Sequence, residues 1–199
     1  MEASELRQDR RTLRTRAAIV EAYNELVVQQ RQEDITVAIV TARANVGRST
    51  FYQHYAGLDA LFAEAVARPL AVLAETAVGS SGPNSLEGLL RHFWENRRRA
   101  REMLAGRSGA RISRLLASLV EERLVGDFII PHRLVSVLLA ETAFAPVRAW
   151  LGGEAACTPH VLAQAVSVAT ASARDSIRID RGTADRSRSG TSQMSASSG

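Results

Sequence analysis

The chain reads as an all-α protein, three short helices followed by a bundle of longer ones. Three observations predict this class. Apolar residues recur at three- and four-residue spacing along most of the sequence. No stretch alternates apolar and polar residues between hairpin turns, and no segment repeats. With 199 residues, 46% of them apolar, the chain is long enough to close a real core around such helices.

Each element has its own justification. Residues 12–30 predict a first helix, with Ile19, Tyr23, Leu26 and Val27 on one face. Thr36 is placed to cap a short helix over 37–44, because its hydroxyl can accept from an orphan first-turn amide. Asn45, Val46 and Gly47 predict a tight turn, since Asn and Gly both tolerate left-handed backbone angles. A third helix over 48–55 ends at Ala56-Gly57. A long helix over 58–78 carries Leu61, Phe62, Val66, Leu70 and Leu73, with Pro69 expected to kink or break it. The run Gly-Ser-Ser-Gly-Pro at 79–83 is a linker. Further helices are expected over 86–104, 111–125, 132–151 and 159–177, separated by glycines or started by proline, with Pro146 a second expected kink. Residues 179–199, rich in Ser, Gly and Arg, are expected to be disordered.

Composition excludes several kinds of chemistry. All 25 basic residues are Arg, so a phosphate loop ending in Lys, a kinase lysine and Schiff-base chemistry are ruled out. Cys157 is the one cysteine and can form no intrachain disulfide. The four His are far apart, and the adjacent pair Glu121-Glu122 points to different parts of a helix. No catalytic site, metal or cofactor is therefore expected. The N-terminus lacks an apolar signal core, and the longest apolar stretch, 134–147, contains Glu141. A cytoplasmic, soluble protein with no membrane partner is the expectation.

Net charge is only +4, but it is unevenly placed. Residues 7–16 carry five Arg against Asp9, a net +4, and residues 91–114 carry eight Arg against two Glu, a net +6. The rest of the chain is acidic. Focused positive charge of this kind suits a polyanion, nucleic acid above all.

The segment 37–55 sharpens that reading. A helix, a three-residue turn with a left-handed position and a second helix make up helix-turn-helix spacing. In the second helix Phe51 and Tyr55 lie four apart and can pack inward on Ile19, Tyr23 and Val40. Arg48, Ser49, Thr50, Tyr52, Gln53 and His54 remain as an outward set of hydrogen-bonding groups, suited to base edges and phosphate oxygens. The basic arm bearing Arg7, Arg10, Arg11 and Arg14 precedes it, suited to phosphates or a neighbouring minor groove.

Thr15-Arg16-Ala17-Ala18-Ile19, Ile35-Thr36-Val37, the run from Ala44 to Tyr55 and Leu61-Phe62 together resemble the DNA-binding domain of TetR-family transcriptional regulators. The resemblance spans about 50 residues. It implies an N-terminal helix-turn-helix domain over 1–57 and a helical effector-binding and dimerisation domain over 58–178. It also implies a homodimer through the last two long helices on a palindromic double-stranded DNA operator, and a small-molecule effector that releases a repressor. DNA contacts fall to Thr36, Arg48, Ser49, Thr50, Tyr52, Gln53 and His54, with Thr36 on phosphate. Three positions depart from the family pattern: Asn45 replaces a usual Gly, Gly47 a usual Ser, and Leu58 a frequent phosphate-binding Lys. Phe93, Trp94, Met103, Phe128, Phe144 and Trp150 are the large apolar groups from which a ligand pocket can be drawn. The competing reading is a helical adaptor, or a sequence-tolerant DNA-binding protein without ligand regulation.

Overall fold

A computed structural model describes residues 2–30, 32–104 and 106–179, with the backbone alone at 2–8, 28, 32, 99, 106 and 107. The described residues form nine α-helices: α1 (Glu2–Gln29), α2 (Val37–Arg43), α3 (Arg48–His54), α4 (Leu58–Val78), α5 (Pro83–Glu95), α6 (Arg97–Leu104), α7 (Gly106–Arg123), α8 (His132–Gly152) and α9 (Pro159–Ser176). A single 3-10 turn, Gln32–Asp34, follows α1. The extended pairing among the described residues is one isolated bridge between Phe128 and Arg178.

The first three helices pack around Ile19, Tyr23, Val40, Phe51 and Tyr55, all buried. Thr36 caps α2 as the sequence predicts, its hydroxyl accepting from the Ile39 amide at 3.3 Å. Asn45 takes the left-handed turn position at φ 53°. Gly47 stands before α3 with no side-chain cap. The bundle core is built from Leu73, Leu86, Leu90, Ile112, Leu116, Val120 and the inward faces of α8 and α9. Gly79 closes α4 in the left-handed region at φ 75°, and the bonds Gly79 N to Thr76 O and Ser80 N to Glu75 O tie off its last carbonyls.

Four expectations are corrected. The first helix starts at Glu2, because Glu, Ala, Leu, Arg and Gln fill its N-terminal stretch with no Gly or Pro to stop it. The helix expected over 86–104 is two helices, interrupted at Asn96. The Asn96 side-chain amide donates to the His92 carbonyl at 3.0 Å, ending α5, while the Ala100 amide bonds the Asn96 carbonyl and starts α6. The glycines at 106–109 open α7 instead of forming a loop: Gly109 is buried, and a Cβ there would stand 2.5 Å from the Leu104 carbonyl. Pro69 does not break α4, which runs through it.

Ile179, the first residue of the expected disordered tail, bonds its amide to the Asp127 carbonyl at 2.8 Å, and residues 180–199 lie outside the described residues. Among the described helices α8 alone is long and apolar enough to cross a membrane. Its apolar face nonetheless lies in the core, with Val135, Leu139, Phe144 and Val147 buried.

Phe51 is fully buried where α3 meets α1. Phe51→Ala is expected to cost about 3–5 kcal/mol of stability, read from urea unfolding, since this small core cannot collapse onto the lost ring.

Candidate nucleic-acid interface

Helix α3 is divided sharply between packing and display. Phe51 and Tyr55 face inward, with ring centroids 5.6 Å apart. Arg48, Ser49, Tyr52 and Gln53 are exposed, and Thr50 and His54 sit half-buried on its flanks. Tyr52 is 58% exposed, its ring standing edge-on to Phe51 at 5.4 Å. Among the described residues none of these six side chains has a hydrogen-bond or ion-pair partner, so their polar capacity is open to something outside the chain. A neutral-to-basic helix face of hydroxyl, amide, imidazole and guanidinium groups matches the donors and acceptors of a major groove.

The scaffold holds this face rigidly. Arg16 of α1 forks onto Glu64 of α4 through Nε and Nη2, and its guanidinium lies 5.3 Å from the Tyr55 ring centroid. The hydrogen bond to Glu64 holds the Arg16 pKa above its ordinary value. Burial, with the Glu64 carboxylate beside it, pushes the Tyr55 hydroxyl up to about 12. Arg43 ties α2 to α1, donating to Glu25 and Gln29 at 2.9 Å each. Thr36 is exposed at the start of α2; its oxygen is used in the cap while its hydroxyl proton stays available.

The basic arm is not an extended strand. Arg10, Arg11 and Arg14 are exposed on the N-terminal part of α1, and the Arg7 side chain lies outside the described residues. A helix about 10–12 Å across is wider than a minor groove of about 6 Å, so it is the arginine side chains, not the helix itself, that have the reach for a groove edge or a backbone phosphate.

No family model matches the chain. The described chain is similar to a solved TetR transcriptional regulator from Streptococcus agalactiae 2603V, with a TM-score of 0.54 at 24% identity, covering 83% of this chain and 98% of that one. The fold is that of the TetR regulators. A weaker likeness is to the dihydroxyacetone kinase operon activator DhaS, with a TM-score of 0.49 at 16% identity, covering 83% of this chain and 98% of that one. In sequence, 77 residues, 38% of the chain, are 32% identical to an uncharacterized HTH-type transcriptional regulator, YxbF, of Bacillus subtilis (strain 168). The matched stretch is 20% of that relative's length.

Within this TetR fold the six aromatic and thioether residues singled out in the sequence separate into three places. Phe93, Met103 and Phe144 line a cavity of about 550 Å³ between α4, α5, α6, α7 and α8. Trp94 and Trp150 stack on each other at 4.7 Å and border a different groove. Phe128 lines neither; it is buried against the His132 ring, whose Nε2 donates to the Gly126 carbonyl at 2.9 Å. Sequence reasoning missed the cavity's polar groups Arg68, Asn24, Ser85 and Asn96, which have no common spacing and converge only through the fold. One signal was present: Pro69 lines the cavity together with Ala65, whose carbonyl loses its helical donor because proline has no N–H.

Tyr55 supplies a pH test. Its hydroxyl stays protonated in the folded chain until about 12 but ionises near 10 once unfolded, so the unfolded state binds fewer protons between those values. Stability is therefore expected to fall by about 1.4 kcal/mol per pH unit from about pH 10 to 12, and Tyr55→Phe to remove that slope in denaturant titrations.

Proposed function

We propose that the chain is a ligand-responsive, DNA-binding transcriptional regulator, acting as a cytoplasmic homodimer on a palindromic operator and repressing until a small molecule releases it. In this reading residues 1–57 bind DNA, and residues 58–178 bind the effector and dimerise. The observation that carries it is the unpartnered polar face of α3, held rigidly by Phe51, Tyr55 and the Arg16–Glu64 fork. Arg48, Ser49, Tyr52 and Gln53 read base edges and phosphates. Thr50 and His54 reach the groove walls. Thr36, Arg10, Arg11 and Arg14 neutralise or bond phosphates. Leu58 cannot serve as a phosphate contact, so the arginines of α1 take that share.

Support for the dimer is an exposed apolar stripe on each of the last two long helices. On α8, Leu134, Val137 and Leu138 are 55%, 40% and 38% exposed; on α9, Val161 and Val168 are 54% and 66% exposed. They fall at three-, four- and seven-residue spacing, with exposed Ala165 and Ala169 allowing a second helix to approach closely. Burying both stripes against a second copy makes a four-helix interface and sets two α3 helices on one face of a duplex, about 34–36 Å apart.

The cavity supports the effector. Its wall is mostly apolar, and Arg68, His92 and Asn96 offer a few polar anchors. Because α4 lines it from Ala65 to Leu73 and also packs on the DNA-binding helices, a molecule seated there favours one position of α4 over another. Each tenfold loss of operator affinity requires about 1.4 kcal/mol of such preference.

Two measurements test this reading. In a gel shift against the DNA upstream of its own coding sequence, Tyr52→Ala is expected to weaken binding by about 1–3 kcal/mol per half-site with the dimer intact. Replacing Arg10, Arg11 and Arg14 by Ala is expected to lower the salt slope by about 5 for the dimer. Equal affinity of the Tyr52→Ala and parent proteins would remove α3 as the reading element. In sedimentation, Leu138→Arg is expected to yield a folded monomer; an unchanged dimer would place the interface elsewhere.

A further inference from the structure

The arginines of α6 form a groove that the DNA reading does not use. We infer that this groove binds a nucleoside polyphosphate, its base stacked on Trp94 and its phosphates held by Arg97, Arg98 and Arg101. The inference stands apart from the DNA reading, since the groove shares no residue with α3 or with the 550 Å³ cavity.

Four observations carry it. First, Trp94, Arg97, Arg98 and Arg101 lie at positions i, i+3, i+4 and i+7, and the α5–α6 junction keeps them on one side. There they face Trp150, Leu151, Gly152 and Gly153 at the end of α8, enclosing about 500 Å³, within the size range of small-molecule sites.

Second, Trp94 is a fixed shelf. It stacks on Trp150 with an interplanar angle of 24°, and Trp150 is buried and pinned by its Nε1 donating to the Cys157 carbonyl at 3.0 Å. Trp94 itself stays 41% exposed beside three cations, with the exposed Arg97 side chain lying over its ring.

Third, those cations are weakly engaged. Arg97 lies 5.3 Å from the Trp94 ring centroid, and Arg98 meets Glu102 only through Nε at 3.5 Å while its side chain is 94% exposed. Arg101 has no side-chain partner among the described residues. Among the described residues Glu102 is the one acidic side chain lining the groove, against three arginines.

Fourth, the guanidinium groups are planar forks suited to phosphate oxygens, and a flat base can take the place that Arg97 holds over the indole once that exposed side chain turns to a phosphate. A simple anion uses the arginines and leaves the indole idle. A paired duplex offers no free base face to it. A nucleoside polyphosphate satisfies both halves.

The test is calorimetric titration of the whole protein, without DNA, with ATP, GTP, adenosine and inorganic pyrophosphate in about 0.15 M salt. At least one nucleoside triphosphate is expected to bind, with adenosine and pyrophosphate each weaker by roughly fivefold or more. Arg97→Ala and Arg101→Ala, both at exposed positions, are each expected to weaken the triphosphate by roughly fivefold or more with the melting temperature unchanged. Trp94→Leu is expected to abolish the advantage over pyrophosphate. No binding of either triphosphate at about 1 mM overturns the inference, as does pyrophosphate binding equally well. If the two Arg substitutions instead weaken duplex DNA in a gel shift while triphosphate binding is unchanged, the groove is a DNA contact and the inference falls.

Discussion

Helix α4 has to belong to two cores at once, and most of the structure follows from that requirement. Its first turns bury Leu61, Phe62 and Val66, beside the helices that carry the outward polar face of α3. Its later turns bury Leu70, Leu73, Ala74 and Ala77 in the bundle. Cores pack at the density of organic crystals, so a helix gripped along its length moves as a body rather than bending to suit either side. Two arginines secure the grip near its start. Arg16 forks onto Glu64 from α1, and Arg111 of α7 bonds both the Asp59 carbonyl and carboxylate at 2.8 Å while lying 4.3 Å from the Phe62 ring centroid. These contacts tie α7 and α1 to α4 beside α3.

Pro69 belongs to the same problem. The sequence expects an interruption, because a helix-interior proline costs about 3 kcal/mol and removes a hydrogen bond. The helix continues because Val66, Leu70 and Leu73, buried on either side of the proline, hold the two halves in line. The lost bond falls at Ala65, on the cavity wall. A local rule is broken where the wider packing tolerates it.

Short-range features were the legible ones. Thr36 and Asn45 act through neighbours within a few residues, and Phe51 and Tyr55 share one helix face at four-residue spacing, so the α2-turn-α3 unit and its outward face could be read directly. The α5–α6 break was not legible, because Asn96 ends a helix through its own side chain in a run otherwise fit to stay helical. Nor was the early start of α7, which depends on Gly109 meeting the Leu104 carbonyl. The cavity was legible only in part. Phe93, Met103 and Phe144 are distinguished from Trp94, Trp150 and Phe128 by which helices come together, and residue type says nothing about that.

The absence of lysine has a structural counterpart. Arg16 forks onto Glu64 while lying over Tyr55; Arg111 joins two oxygens of Asp59 while lying over Phe62; Arg43 joins Glu25 and Gln29. Arg16 and Arg111 need a planar group with more than one donor and a face left for a ring, and Arg43 needs donors pointing two ways. An ammonium could keep the charge but would give up either the second partner or the ring. The interhelical ties around the first three helices are therefore matters of shape as much as of charge. The same chemistry recurs where Arg97 lies over Trp94, with the difference that there no second partner stands among the described residues.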